Sequence, residues 1–68
     1  MQQEITPNRL EPGELVDEHA AAEILALSVQ TLRNWRWKGE GPSFAKLGRL
    51  VRYRRRDLQT FIEQRVAA

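Results

Sequence analysis

The chain has 68 residues, a net charge of +2 and no cysteine. That length allows one small domain with a thin hydrophobic core, and the lack of cysteine excludes a disulfide scaffold. With a single histidine, the sequence also argues against a structural zinc site, and we expect no cofactor. No apolar run resembles a signal peptide or approaches the roughly 20 residues of a transmembrane helix, so we expect a soluble, cytoplasmic protein without a membrane partner.

The net charge results from two parts of opposite sign. Residues 1–27 hold six of the nine acidic residues and one of the eleven basic residues, whereas residues 28–68 carry a net charge of +7. This asymmetry indicates a positive face in the C-terminal part that could bind a polyanion. An unevenly charged, solvated surface is the alternative, and charge alone does not decide between the two.

Residues 1–14 predict a flexible N-terminal tail, because two prolines and a glycine lie there among polar and acidic residues. A first helix is expected to begin after Asp17, a favourable N-cap residue, and to end near Ala26. Four apolar residues of this helix fall on one face and should point toward the core: Ala21, Ala22, Ile24 and Leu25.

A second helix is expected from Val29 to about Lys38, with Ser28 as its N-cap and Gly39 at its end. Two residues, 26 and 27, separate it from the first helix, so the two helices must turn sharply against each other. Two short helices joined in this way predict a helix-turn-helix unit.

A β-hairpin is expected next, because two β-type segments, residues 44–47 and 50–53, flank a plausible two-residue turn at Gly48-Arg49. Alternation places Val51 and Tyr53 toward the core. The register of the first strand stays open, since its two large apolar residues cannot both face inward on a regular strand.

A third helix is expected over roughly Arg55 to Val66, where apolar residues recur at helical spacing: Leu58, Phe61, Ile62 and Val66. Together the elements predict an α+β fold, a small winged helix-turn-helix over residues 15–68. It has three short helices and a two-stranded β-hairpin, here called the wing, between the second and the third.

The outer face of the second helix carries the residue types that read bases. Four residues form this face, here called the recognition stripe, and are the expected contacts in the DNA major groove: Gln30, Arg33, Asn34 and Trp37. Gln and Asn can bind adenine, and Arg can bind guanine, through two hydrogen bonds each. Leu32 and Trp35 lie on the opposite, core-facing side. An ordinary amphipathic helix is the alternative, and Trp37 could instead pack under the hairpin.

Basic residues on and beside the hairpin form a second group. Arg49 lies at the predicted tip, where a long cation can enter a narrow minor groove. The expected wing contacts are Lys46, Arg49 and Arg52. The expected phosphate contacts are Ser28, Thr31, Arg36, Lys38 and Arg54. A solvated helix start is the alternative for the basic run at 54–56, although the helix dipole disfavours cations there.

The sequence does not indicate catalytic chemistry. No nucleophile–base pair or carboxylate dyad stands out, and Gly39-Glu40-Gly41 lacks the later glycine and lysine of a phosphate-binding loop. We therefore expect a DNA-binding protein and no enzyme.

From Leu15 to about Glu63 the sequence resembles the excisionase-type helix-turn-helix family, a compact branch of the MerR-like winged-helix domains. The resemblance rests on five segments: 15–28, 31–36, 39–42, 46–53 and 57–58. It implies a helix in the major groove of double-stranded DNA and a wing at the adjacent minor groove or backbone. It matches two sets of positions to these surfaces, namely Ser28, Gln30, Thr31, Arg33, Asn34 and Trp37 for the recognition helix, and Lys46, Arg49 and Arg52 for the wing. One departure is Ala26, where the family often has glycine, so the first helix is expected to end differently here.

The resemblance implies two possible roles. One is a phage or prophage excisionase, which bends attachment-site DNA and assists a tyrosine or serine integrase. The other is a small transcriptional regulator of a phage or integrative element. The short chain is expected to leave no room for an effector-binding domain, which favours the excisionase and self-association of copies along DNA. A third hypothesis, from a different functional class, is a protein-interaction module whose basic face binds an acidic partner.

Overall fold

A computed structural model describes residues 13–67 of the chain. The elements in chain order are β1 (Leu15–Val16), α1 (Glu18–Leu25), α2 (Val29–Lys38), β2 (Ala45–Leu47), β3 (Leu50–Arg54) and α3 (Arg55–Glu63). Three helices and a short antiparallel hairpin between the second and the third confirm the predicted winged helix-turn-helix.

The sheet contains a third strand that the sequence did not predict. Its order is β1-β3-β2, with both pairs antiparallel, so β3 is the central strand. In β1, Leu15 lies opposite Arg54 and Val16 opposite Tyr53. A two-residue strand is too short to show the alternation by which strands are recognised in a sequence, which explains the omission.

The predicted tail lies largely outside the described residues, since only Gly13 and Glu14 of residues 1–14 are described. These two residues contact the start of α3. The Glu14 carbonyl accepts a hydrogen bond from the Arg55 backbone N–H at 2.8 Å, and the Gly13 carbonyl accepts one from the Arg55 side chain at 2.9 Å. The Glu14 carboxylate also pairs with Arg56 at 3.3 Å. Gly13 and Glu14 therefore pack with the domain.

The first helix begins as predicted and ends in a strained conformation. The Asp17 carboxylate accepts the Ala20 N–H at 2.9 Å, which caps the helix. Ala26 follows the last helical residue with a φ of 57°, a left-handed conformation that costs a residue with a β-carbon about 1–2 kcal/mol. The Leu27 N–H donates to the Ala22 carbonyl at 2.8 Å, so the turn is closed without glycine.

The second helix has the predicted bounds and caps. The Ser28 hydroxyl accepts the Thr31 N–H at 3.1 Å, and Gly39 ends the helix with a φ of 76°. Gly41 follows with a φ of 88°, and a β-carbon on it would lie 2.8 Å from the Trp35 ring. The chain can therefore leave α2 along this path only with glycine at position 41.

The wing turns at Gly48-Arg49, as predicted. Gly48 has a φ of 66° and Arg49 does not have a positive φ, the pattern of a type II′ turn. Leu47 pairs with Leu50 across the turn. Phe44 lies before β2 and is 41% exposed, with its ring centroid 6.1 Å from that of buried Tyr53, whereas Leu47 is exposed at the end of β2. The pairing of Ala45 with Arg52 and of Leu47 with Leu50 settles the register that the sequence left open.

The core lies where α1, α2, α3 and β3 meet. Its buried residues are Val16, Ala21, Ala22, Leu32, Tyr53 and Leu58. Trp35 packs on its edge, 5.6 Å from Phe61 between ring centroids. Three predicted core positions were wrong. Ile24 and Ile62 lie at the margins of the apolar faces of α1 and α3 and are 39% and 36% exposed, and Val66 is exposed because α3 already ends at Glu63.

Candidate nucleic-acid interface

The recognition stripe lies on the solvent side of α2, as its helical spacing predicts. Gln30, Arg33, Asn34 and Trp37 are all exposed, whereas Leu32 on the opposite side is fully buried. Trp37 is 88% exposed and does not pack under the wing. An aromatic side chain of this size with so little protein contact is available to a partner. DNA contact by these four residues stays a prediction.

Two amides of the stripe are ordered by each other. The Gln30 side-chain N–H donates to the Asn34 side-chain oxygen at 3.1 Å, one helical turn away. This bond leaves the Gln30 oxygen and the Asn34 amino group with unused hydrogen-bonding capacity. An acceptor and a donor side by side are what the major-groove edge of adenine requires.

Glu18, in the first turn of α1, holds two arginines of α2. Arg33 donates from Nε to both carboxylate oxygens at 3.2 Å and from Nη2 to Oε2 at 2.5 Å. Arg36 donates from Nη2 to Oε1 at 3.0 Å and from Nη1 to the hydroxyl of buried Tyr53 at 2.9 Å. Arg33 and Arg36 are one turn apart on α2, which lets one carboxylate reach both.

These contacts change the protonation behaviour of the pair. The hydrogen bonds from Arg33 lower the pKa of Glu18 to about 2; partial burial opposes this shift, and Arg36 adds to it. The hydrogen bond to Glu18 raises the pKa of Arg33 above its usual value. The carboxylate is therefore ionised, and the pair intact, over the whole neutral range. The sequence analysis did not predict this role of Glu18. The i, i+3 spacing of the two arginines on α2 is visible in the sequence, but which residue of α1 faces them depends on how the two helices pack.

The predicted phosphate contacts fall into two groups. Ser28 and Thr31 lie at the N-terminus of α2 with their hydroxyl oxygens 2.9 Å apart, and Lys38 is exposed at its other end. Ten helical residues span roughly 15 Å, so these side chains lie at the two ends of α2, on either side of the recognition stripe. Their contact with phosphates stays a prediction.

Arg36 and Arg54 form the second group, and the protein itself engages both. Arg36 is largely buried between Glu18, Tyr53 and the Phe44 ring, whose centroid lies 5.8 Å from the guanidinium carbon. Arg54 forms two hydrogen bonds with Asp57, at 2.8 and 3.0 Å, which raise the pKa of Arg54. Phosphate contact by Arg36 and Arg54 stays a prediction. Each arginine is already paired with a carboxylate, Glu18 for Arg36 and Asp57 for Arg54.

A concave surface between α2 and the wing, here called the groove, joins the two predicted regions. Its lining residues are Arg33, Arg36, Trp37, Phe44, Lys46, Arg49 and Val51. Four of the seven are cationic, two are aromatic and none is acidic. The structure thus brings Arg33 and Trp37 of the recognition stripe together with Lys46 and Arg49 of the wing.

The third wing cation does not line the groove. Arg52 is half-buried, donates to the Val51 carbonyl at 2.8 Å and lines an adjacent cleft with Glu18 and His19. This cleft shares Arg36, Arg49 and Val51 with the groove. At the tip, Leu47 and Leu50 are 51% and 55% exposed on either side of the turn. Sequence reasoning missed these two leucines, because alternation does not show that the wing extends beyond the core.

Within residues 13–67, no helix is long and apolar enough to cross a membrane. A family model described as helix-turn-helix domain matches residues 19–66, which include nearly all of α1, the whole of α2, the wing and α3. Among curated proteins, none matches the chain.

Proposed function

The chain belongs to the helix-turn-helix domain family, and from that membership we propose that α2 enters the major groove of double-stranded DNA while the wing contacts the adjacent minor groove or backbone. Domains of this family bind DNA sequence-specifically and typically have no enzymatic activity. The observation that supports the proposal is the groove, where side chains of the types that can read bases and bind phosphates share one surface that no acidic residue lines.

Each side chain of the recognition stripe has a specific task in this proposal. Gln30 and Asn34 read adenine as a hydrogen-bonded pair, and Arg33 reads guanine. Trp37 lies against a sugar or a thymine methyl group, which would cover its exposed ring. Discrimination against a wrong base at each of these positions should reach about 1–3 kcal/mol.

The remaining cations and hydroxyls set the position of the domain on the duplex. Lys46 and Arg49 contact the backbone or the minor groove from the wing, and Arg52 assists at its side. Ser28, Thr31 and Lys38 contact phosphates at the two ends of α2. Such contacts release counterions from the DNA. The logarithm of the binding constant should therefore fall with the logarithm of the salt concentration, with a slope of about −0.9 for each phosphate contacted.

For the biological role, we propose an excisionase of a phage or integrative element. It would bend attachment-site DNA, place copies on adjacent sites and assist a tyrosine or serine integrase in excision. The support is the sequence resemblance over residues 15–63 together with a family that includes excisionase-like helix-turn-helix domains. A MerR-like transcriptional regulator would use the same DNA-binding surface, so the test has to separate the two roles.

Selection from a random duplex library tests DNA binding first, followed by affinity measurements over a range of salt concentrations. We expect an enriched motif and an affinity that falls steeply with salt while sequence preference persists. No enrichment at moderate salt would contradict the proposal and favour a protein-interaction module with an acidic partner.

An excision assay with an integrase and its attachment sites then tests the role. Stimulated excision and bending of the selected site would support the excisionase. Intact DNA binding with altered promoter activity and no effect on excision would instead identify a regulator. Arg65→Ala is the control for variants that remove a cation from the groove, because it removes the same charge elsewhere. The Arg65 guanidinium carbon lies 3.8 Å from the Phe61 ring centroid, and Arg65 does not line the groove.

A further inference from the structure

Arg33 carries its hydrogen bonds to Glu18 on one edge of the guanidinium group. That group has five N–H bonds, and the carboxylate takes the Nε–H and one N–H of Nη2. The two N–H bonds of Nη1 and the second N–H of Nη2 remain. One N–H of Nη1 and this second N–H of Nη2 point in parallel from the end of the guanidinium group, a pair here called the fork. Its geometry matches O6 and N7 of guanine in the major groove.

The carboxylate that holds Arg33 is itself fixed to the core. Glu18 accepts from Arg36, and Arg36 donates to Tyr53, which is 1% exposed. The Glu18 side chain is 17% exposed and the Arg33 side chain 51% exposed. A chain of hydrogen bonds therefore runs from buried Tyr53 through Arg36 and Glu18 to the solvent side of α2.

We propose that Glu18 is a specificity-determining positioning residue, which holds Arg33 so that the free end of its guanidinium group faces a guanine. This inference rests on the proposed DNA-binding function. Without the carboxylate, Arg33 would sample many rotamers and could neutralise any nearby phosphate, so its base preference would fall. Glu18 also adds a negative charge near the DNA, which lowers the affinity for non-specific duplexes.

The test uses the motif obtained by library selection, with each guanine replaced in turn by 7-deazaguanine, which lacks the N7 acceptor. Wild-type protein should lose roughly tenfold or more in affinity at one position, and Arg33→Ala should be insensitive at that position. Arg33→Lys should show a smaller loss than wild type, because lysine keeps the charge and can still donate to guanine but lacks the two parallel N–H bonds of the guanidinium group.

Glu18→Gln is the decisive variant. We expect its discrimination at the same guanine to fall roughly tenfold, while its affinity for non-specific duplexes is unchanged or higher. In the Arg33→Ala background Glu18→Gln should add nothing to the loss of discrimination. Glu14→Gln is the matched control, because it breaks another carboxylate–arginine pair, with Arg56, and should leave guanine discrimination intact.

A folded Glu18→Gln protein with wild-type guanine discrimination would overturn the inference, and so would an equal loss of affinity for every duplex. If that variant does not fold, the NMR resonance of the Arg33 Nε–H in the wild-type protein tests the inference instead. It should be protected from exchange both before and after DNA is added, and rapid exchange in the complex would overturn the inference. A wild-type protein without any sequence preference would instead contradict the proposed function.

Discussion

The recognition stripe and the wing present their side chains to solvent in different ways. On α2, three of the four stripe side chains are hydrogen-bonded within the protein. On the wing, the side chains of Lys46 and Arg49 are exposed and make no hydrogen bond or ion pair with any described residue. An ordered side chain loses about 0.5–1.5 kcal/mol less conformational entropy on binding than a free one. The stripe is therefore suited to reading bases, and the wing to following a backbone.

The largest effect is expected where the two regions are joined. Gly41→Ala should lower the free energy of unfolding by about 3 kcal/mol, because the left-handed backbone is strained by a β-carbon and that atom meets the Trp35 ring. Gly39→Ala, with a positive φ but open space around it, should cost only about 1 kcal/mol. Urea denaturation of both variants measures these changes. Equal decreases in unfolding free energy would contradict a close approach of residue 41 to the Trp35 ring.

Removing one ordered side chain of the stripe should affect sequence preference. We expect Arg33→Ala to reduce discrimination by about 1–3 kcal/mol at a single base pair, because the fork that binds guanine is lost. Fluorescence anisotropy with a set of single-substitution duplexes measures it. A uniform loss over all duplexes would show that Arg33 contacts only phosphate, and the comparison between the two regions would fail.

Removing a free cation of the wing should have a smaller effect that does not depend on sequence. Arg49→Ala should weaken binding to most duplexes and reduce the salt slope by about 0.9, the value for one phosphate contact. Arg65→Ala, the charge-matched control away from the groove, should leave the slope as in wild type. An unchanged slope for Arg49→Ala would contradict a wing that faces DNA.

Acid should weaken the contact by which Glu18 holds Arg33 of the stripe. Because the pKa of Glu18 is lowered to about 2 in the folded protein, its contribution to stability is complete above about pH 4.5 and is lost as the pH falls toward 2. The difference in unfolding free energy between wild type and Glu18→Gln should therefore be constant from pH 5 to 7 and shrink below. A constant difference down to pH 2 would mean that the ion pair does not stabilise the fold.

Local patterns were sufficient to predict much of the fold. The caps at Ser28 and Gly39 and the turn at Gly48-Arg49 are set by residues within a few positions, so helix α2 and the wing follow from the sequence. The exposed face of α2 follows from helical periodicity alone, and Trp37 is exposed as that periodicity requires.

Features that depend on distant residues could not be predicted in this way. β1 exists as a strand only through its pairing with β3, and two residues carry no periodic signal. The contact between Glu18 and Arg33 joins positions 15 residues apart, and it depends on how α1 is placed against α2. The exposure of Ile24, Ile62 and Val66 likewise depends on which neighbours are present to cover them, which an amphipathic pattern does not specify.

The contacts of Gly13 and Glu14 with α3 have a practical consequence for protein production. A version trimmed to start at Leu15 would remove the carbonyl that accepts the Arg55 N–H and the carboxylate that pairs with Arg56. It would also place a charged amino terminus beside the basic start of α3. Shortened versions for crystallisation or NMR should therefore keep both residues.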